Sequence, residues 1–248
     1  MLLCVDIGNT RIKAGVFKGR RLLATWVGSL KELKALGRLV RSYPVTHLIC
    51  ATVQQECSWL RQLLPASVRW LQVNHRLRLN FENRYSTPHT LGADRMANLA
   101  GARLLFPDQT LLVVSAGSCI TYDVLQADGI FYGGSITPGI QMRLRAEYEF
   151  TDKLPLVMAR PTKALLGKDT RRALLTGAYN GARFELQGYI EALRHRHNQL
   201  TVVLTGGDAA ELKGTKSKWR GCRIFVRRHL SLLGLNEIAR LNGSAFST

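Results

Sequence analysis

The chain alternates short apolar runs with tight polar breaks, and the first break sets the pattern. Residues 2–5 are apolar, Asp6 ends the run, and Gly8 follows two positions later. Asn9 and Thr10 are small and polar, Arg11 and Lys13 are cations, and residues 14–17 are apolar again. This spacing predicts strand, tight turn, strand. The pattern recurs over residues 111–125, LLVVSAGSCITYDVL, where Ser115, Gly117 and Ser118 take the places of Asp6, Gly8 and Asn9. A third glycine turn, Thr205-Gly206-Gly207-Asp208, follows the apolar run 200–204. Two related hairpins about 109 positions apart, with a late glycine turn, predict a duplicated two-lobed α/β nucleotide fold.

Between these landmarks, hydrophobic periodicity places the other elements. Strands are expected at 21–27, 46–53, 68–73, 130–132, 200–204 and 223–226. Helices are expected at 30–41, 56–64 (ending at Pro65), 96–105, 141–148, 170–192 and 230–241. The turn at 107–109 divides an N-terminal lobe, 1–108, from a C-terminal lobe, 109–248. The glycine-dense stretch 133–139 reads as a loop, either approaching a ligand or reversing the chain. Gly177, Gly181 and Gly188 interrupt the 170–192 pattern and predict close helix packing there.

The 248 residues are 46% apolar and 8% aromatic, which fits a globular chain with a sizeable core. The apolar runs are too short to span a bilayer, and residues 1–5 lead into Asp6 with no basic leader, so a cytoplasmic protein without membrane contact is expected. Five cysteines (Cys4, Cys50, Cys57, Cys119, Cys222) show no CxxC spacing and are expected as free thiols. The net charge is +18. The cations are widely spread and accompany no nucleic-acid-binding motif, so the charge is expected to attract anionic small molecules.

The chemistry-bearing residues point the same way. Gly8 lets backbone approach a ligand, and Asn9, Thr10 and turn amides can donate to phosphate oxygens. A carboxylate beside phosphates, Asp6, needs a cation between them and suggests Mg²⁺. Asp94 and Arg95 open the 96–105 helix after a polar loop containing Tyr85 and Pro88. On spacing alone, Asp94 also reads as an acid at a capped helix start.

Taken together and in order, Asp6-x-Gly8-Asn9-Thr10 with Lys13, Tyr85-x-x-Pro88, Gly92-x-Asp94-Arg95, Gly117-Ser118-x-x-Thr121 with Asp123, Gly133-Gly134-x-Ile136-x-Pro138-Gly139, Thr170 ahead of Gly177, and Thr205–Asp208 resemble type III pantothenate kinases, including the related virulence accessory-factor branch. The resemblance implies a duplicated two-lobed actin-like ATPase fold of the acetate and sugar kinase type, with mixed sheets flanked by helices. It implies ATP-dependent phosphorylation of pantothenate, the first step of coenzyme A synthesis, by a homodimer using Mg²⁺ and K⁺ or NH₄⁺. By the same resemblance Asp6, Ile7, Gly8, Asn9, Thr10, Arg11, Ile12, Lys13 and Ser118 bind ATP, with Asp6 holding Mg²⁺ through water. Asp94 is the general base. Tyr85, Gly92, Ala93, Asp94, Arg95 and Thr170 bind pantothenate. Ser115 departs from the family pattern, which has Asp there supporting the monovalent cation. A neutral hydroxyl is a weaker ligand, so that site is expected to be absent or rearranged. Two other readings stay open: a kinase of another small hydroxylated acceptor, and a regulatory protein that keeps the fold with weak or no catalysis.

Overall fold

The computed structural model describes residues 1–52, 58–197, 199–214 and 222–246. Two compact units are built from this chain. Unit 1 comprises Met1–Asp108, Gly129–Tyr132 and His229–Thr248; unit 2 comprises Gln109–Asp128 and Gly133–Arg228.

Unit 1 holds β1 (Leu2–Ile7), β2 (Ile12–Lys18), β3 (Arg21–Gly28), α1 (Leu33–Arg41), β4 (His47–Thr52), β5 (Arg69–Gln72), the two-residue β6 (Glu82–Asn83) and α2 (Ala93–Leu105). Its sheet runs in the order β3-β2-β1-β4-β5. β1 and β2 pair antiparallel, β1 and β4 parallel. β1 is buried along nearly its whole length because it is the central strand, covered on both faces. Leu3, Val5 and Ile7 face one way and pack with Leu36 and Val40 of α1. Asp6, on the opposite face of the pleat, meets the C-terminal helix.

Unit 2 holds β7 (Thr110–Ala116), β8 (Cys119–Leu125), most of β9 (Ile130–Pro138), α3 (Ile140–Glu149), α4 (Thr170–Arg194), β10 (Leu200–Thr205), α5 (Ala209–Lys213) and β11 (Arg223–Val226). Its strands run β11-β10-β7-β8-β9. β7 and β8 are antiparallel; β7 and β10 are parallel, as are β10 and β11. The order matches that of unit 1, strand for strand: two strands on the hairpin side of the central one, two parallel strands on the other. The duplication expected from the repeated hairpins is therefore present in the topology of both sheets. Ile130 and Phe131, at the start of β9, count with unit 1 and pair in parallel with Glu82 and Asn83 of β6.

The last helix, α6 (Leu230–Leu241), corrects the expected lobe assignment. It belongs to unit 1, not to a continuous 109–248 lobe, and packs along α2. Glycines make this close approach possible. A methyl group on Gly101 would overlap the Leu230 carbonyl, and one on Gly234 would overlap that of Ala97.

Three further expectations change. The 133–139 segment is strand through Pro138, and its glycine at 134 lies directly against Tyr122 and Asp123 of β8 where no Cβ would fit. α4 is one uninterrupted helix of 25 residues, opened by Asp169, whose side chain accepts from the Arg172 amide. Of the three glycines expected at packing contacts, a Cβ at Gly181 would lie 3.5 Å from the Arg143 guanidinium of α3, whereas among the described residues nothing lies within 4 Å of such a position at Gly177 or Gly188. The expected 56–64 helix is a 3-10 segment, Ser58–Leu63; residues 53–57, including Cys57, lie outside the described residues. Cys4, Cys50, Cys119 and Cys222 are free thiols, and burial pushes the Cys4 thiol well above its ordinary range.

Candidate active site

The β1–β2 ladder ends at the pair Ile7 and Ile12, and the backbone turns over within four residues. The Gly8 amide donates to the Arg11 carbonyl at 3.0 Å, closing the turn. Asn9, Thr10 and Arg11 are exposed at its tip. Ile7 and Ile12 bury their side chains completely or nearly so. Asp6 sits one step below the turn with 6% of its surface exposed. Burying a carboxylate is costly unless it is paired. Lys13, its cross-strand partner, places Nζ 3.5 Å from Oδ2. The Ser231 hydroxyl donates to the same oxygen at 2.6 Å from the first turn of α6. Sequence reasoning missed Ser231, which stands in an apolar helical pattern and meets Asp6 across a separation of 225 positions.

The second cluster of unit 1 lies where α2 begins. Gly92 is the N-cap, and Ala93, Asp94 and Arg95 form the first turn. A side chain at Gly92 would come within 2.6 Å of Asp94 Oδ1, so the glycine leaves room for the carboxylate beside the cap. Arg95 is only 5% exposed. Its guanidinium carbon lies 5.5 Å from the centre of the Tyr85 ring and 5.9 Å from that of Phe131. Tyr85 is half-buried, and its amide donates to Asn83 Oδ1 at 3.1 Å. The structure thus brings together Tyr85, Gly92, Ala93, Asp94 and Arg95, and adds Phe131, which sequence reasoning did not single out.

Unit 2 carries the second glycine turn. Ser118 lies between β7 and β8, with its carbonyl accepting from the Gly139 amide at 3.0 Å. The Asp208 amide donates to the Ala116 carbonyl at 3.2 Å. Gly206 adopts φ +97°, a left-handed conformation that favours glycine, and lies against the Ala116 backbone. The backbone at Gly139 and the Gly206 turn therefore both lie against the β7–β8 reversal. Ser115 stands level with Thr121 on β8 and with Thr205 on β10. Thr205 Oγ1 is buried without a hydrogen-bond partner among the described residues. Thr170, also in unit 2, is the exposed first residue of α4.

The donor sets can be tested against the implied cations. Asp6 offers the hard oxygen Mg²⁺ prefers, and a single carboxylate suits an ion that keeps several waters and phosphate oxygens as ligands. Among the described residues no group of three or more His, Cys, Asp or Glu could hold a metal by itself. At Ser115 the row of hydroxyls with Thr121 and Thr205 offers neutral oxygens in place of a carboxylate, a weaker match to a monovalent cation.

Comparison with known proteins matches the description of type III pantothenate kinase to residues 2–192. The chain belongs to that family. A type III pantothenate kinase of Bacteroides fragilis (strain YCH46) is 41% identical over 246 residues, covering 98% of each chain. Solved structures show the fold at lower identity. One is a conserved protein of Campylobacter jejuni, described provisionally as a Baf family transcriptional activator, with TM-score 0.61, 20% identity, and coverage of 98% of this chain and 99% of that one. Another is the activator of the 2-hydroxyisocaproyl-CoA dehydratase of Clostridium difficile with bound ADPNP, with TM-score 0.57, 13% identity, and coverage of 98% and 96%. These likenesses show a shared fold, and the family match over residues 2–192 includes both Asp6 and Thr170.

Proposed function

We propose that the protein transfers the γ-phosphoryl group of ATP to the primary hydroxyl of pantothenate, the first step of coenzyme A synthesis. The observation that carries the reading is the start of α2, where a carboxylate, Asp94, and a buried guanidinium, Arg95, occupy consecutive positions. One can accept a hydroxyl proton while the other binds the substrate carboxylate through a fork of N–H donors. Phosphoryl transfer asks mainly for positioning and charge neutralisation. The Asp6–Lys13 turn would supply amide and cationic donors to ATP phosphates. Tyr85 and the Gly92–Arg95 turn would line the pantothenate pocket.

Asp6 would hold Mg²⁺ through water, and that ion would neutralise phosphate charge when bound. Ser231 and Lys13 fix the carboxylate that faces it. The protein is read as cytoplasmic, and among the described residues no helix is long and apolar enough to cross a membrane. A homodimer is supported by exposed apolar side chains of unit 2: Phe150 at 84%, Leu166 at 80% and Met158 at 69%. Light scattering should give twice the 27.7 kDa chain mass; a mass of one chain at micromolar concentration counts against the dimer.

The test is ADP release from Mg-ATP by purified protein, with and without pantothenate and K⁺. Pantothenate-dependent release is expected, with little stimulation by K⁺; Ser115→Asp should introduce that stimulation. Folded, ATP-binding protein that releases no ADP with pantothenate would point to another acceptor or to a regulatory role.

A further inference from the structure

Phe131 is fully buried, yet it stands at the centre of the Arg95 cluster. Phe81 meets its ring at 79°, with centroids 6.2 Å apart. Tyr85 stacks on it at 23° and 6.0 Å. The Arg95 guanidinium lies within cation–π range of both Phe131 and Tyr85. The backbone fixes the same group. The Glu82 amide donates to the Gly129 carbonyl at 2.8 Å, and the Arg84 amide donates to the Phe131 carbonyl at 2.8 Å. Asn83, paired with Phe131 in the ladder, accepts from the Tyr85 amide. The tip of the β8–β9 hairpin thus carries Phe131 to the one place where it touches Phe81, Tyr85 and Arg95 at once.

We propose that Phe131 is a positioning residue for recognition of the substrate carboxylate, holding the Arg95 guanidinium and the Tyr85 ring in their binding geometry. The proposal rests on the reading of Arg95 as the partner of the pantothenate carboxylate. A buried guanidinium needs compensation for lost hydration. Ring faces contribute to that compensation electrostatically, and they do so without accepting N–H hydrogens. An aliphatic side chain of similar volume would fill the space but would not attract the cation.

The experiment compares two variants, Phe131→Leu and a variant with 3,4,5-trifluorophenylalanine at position 131. The fluorinated ring keeps nearly the same shape and loses most of its attraction for a cation. Kinetics are measured with pantothenate and with its neutral N-methyl amide, which lacks the carboxylate. Phe131→Leu should raise KM for pantothenate about 10-fold, and the fluorinated ring about 3-fold, from the usual strength of a desolvated cation–π pair. KM for ATP should stay within about 2-fold, and the preference for pantothenate over the amide should fall by the same factor as the pantothenate KM rises. Parallel loss with both acceptors, or equal rises in both KM values, would overturn the proposal, because that is what general loosening of the fold produces. If Phe131→Leu does not fold, the fluorinated variant decides alone. Arg95→Gln separates the two layers of the argument. Loss of the acid-over-amide preference in Arg95→Gln, with its retention in the fluorinated variant, refutes the role of Phe131 only. Retention in Arg95→Gln itself refutes the carboxylate reading and the proposal with it.

Discussion

Replacement of Asp94 by Asn is expected to lower kcat for pantothenate phosphorylation by roughly 10²- to 10⁴-fold, the usual contribution of a general base. KM for ATP should change little. The carboxamide is nearly isosteric, so it fits beside Gly92 as the carboxylate does. It cannot accept a proton from the attacking hydroxyl. The Gly8 turn, proposed to meet the ATP phosphates, lies elsewhere in unit 1, between β1 and β2, and Asp94 is not part of it. The fold should survive: an acid in the first turn of a helix is worth about 0.3–1 kcal/mol, and the N-cap residue itself is unchanged. Steady-state kinetics with each substrate varied, beside a thermal melt, checks this. Turnover within about 3-fold of the parent would remove Asp94 from the role of base and leave it as a helix-start acid.

The largest effect on stability is expected at Gly234. Its Cα faces the Ala97 carbonyl of α2, while Gly101 of α2 faces the Leu230 carbonyl of α6. Backbone packs on backbone at both points, so an added side chain has no flexible neighbour to displace. Gly234→Val must push the helices apart or unwind a turn of α6, whose residues from Leu230 to Leu232 and Gly234 to Ala239 are buried. Overpacking of this kind costs about 3 kcal/mol, at the upper end of the usual range. For a chain of this size that corresponds to a fall in melting temperature of roughly 6–12 °C. Because Ser231 sits one turn before Gly234, the same change should also loosen Asp6. A calorimetric scan measures the first effect and the KM for Mg-ATP the second. A melting temperature within about 2 °C of the parent would show that α6 can shift without loss. Gly177→Ala in α4 is the control, since open space surrounds that position among the described residues.

The contrast between these glycines marks the boundary of what sequence reading can do. Gly177, Gly181 and Gly188 lie in a helical pattern and suggest close packing, yet the glycines at the α2–α6 contact are Gly101 and Gly234, which no spacing rule distinguishes. Packing depends on which face meets which neighbour, and that neighbour is set by the return of the chain. The same holds for 133–139, where glycine density reads as a loop. The chain runs on as a strand, and glycine stands at 134 because β8 lies too close there for any Cβ.

By itself the sequence determined the two hairpins, the duplicated α/β organisation, and the local groups Asp6–Lys13 and Gly92–Arg95. These are legible because strand alternation, glycine turns and helix starts are written in neighbouring residues. Tertiary structure alone decided what stands beside those groups. It brought Ser231 to Asp6 and Phe131 to Arg95, drew Gly139 and Gly206 onto the β7–β8 turn, and returned α6 to unit 1. Each of these pairings joins residues far apart in the chain. The Ser231 and Phe131 pairings matter because burying a carboxylate or a guanidinium is costly unless another element supplies a hydroxyl or a ring face.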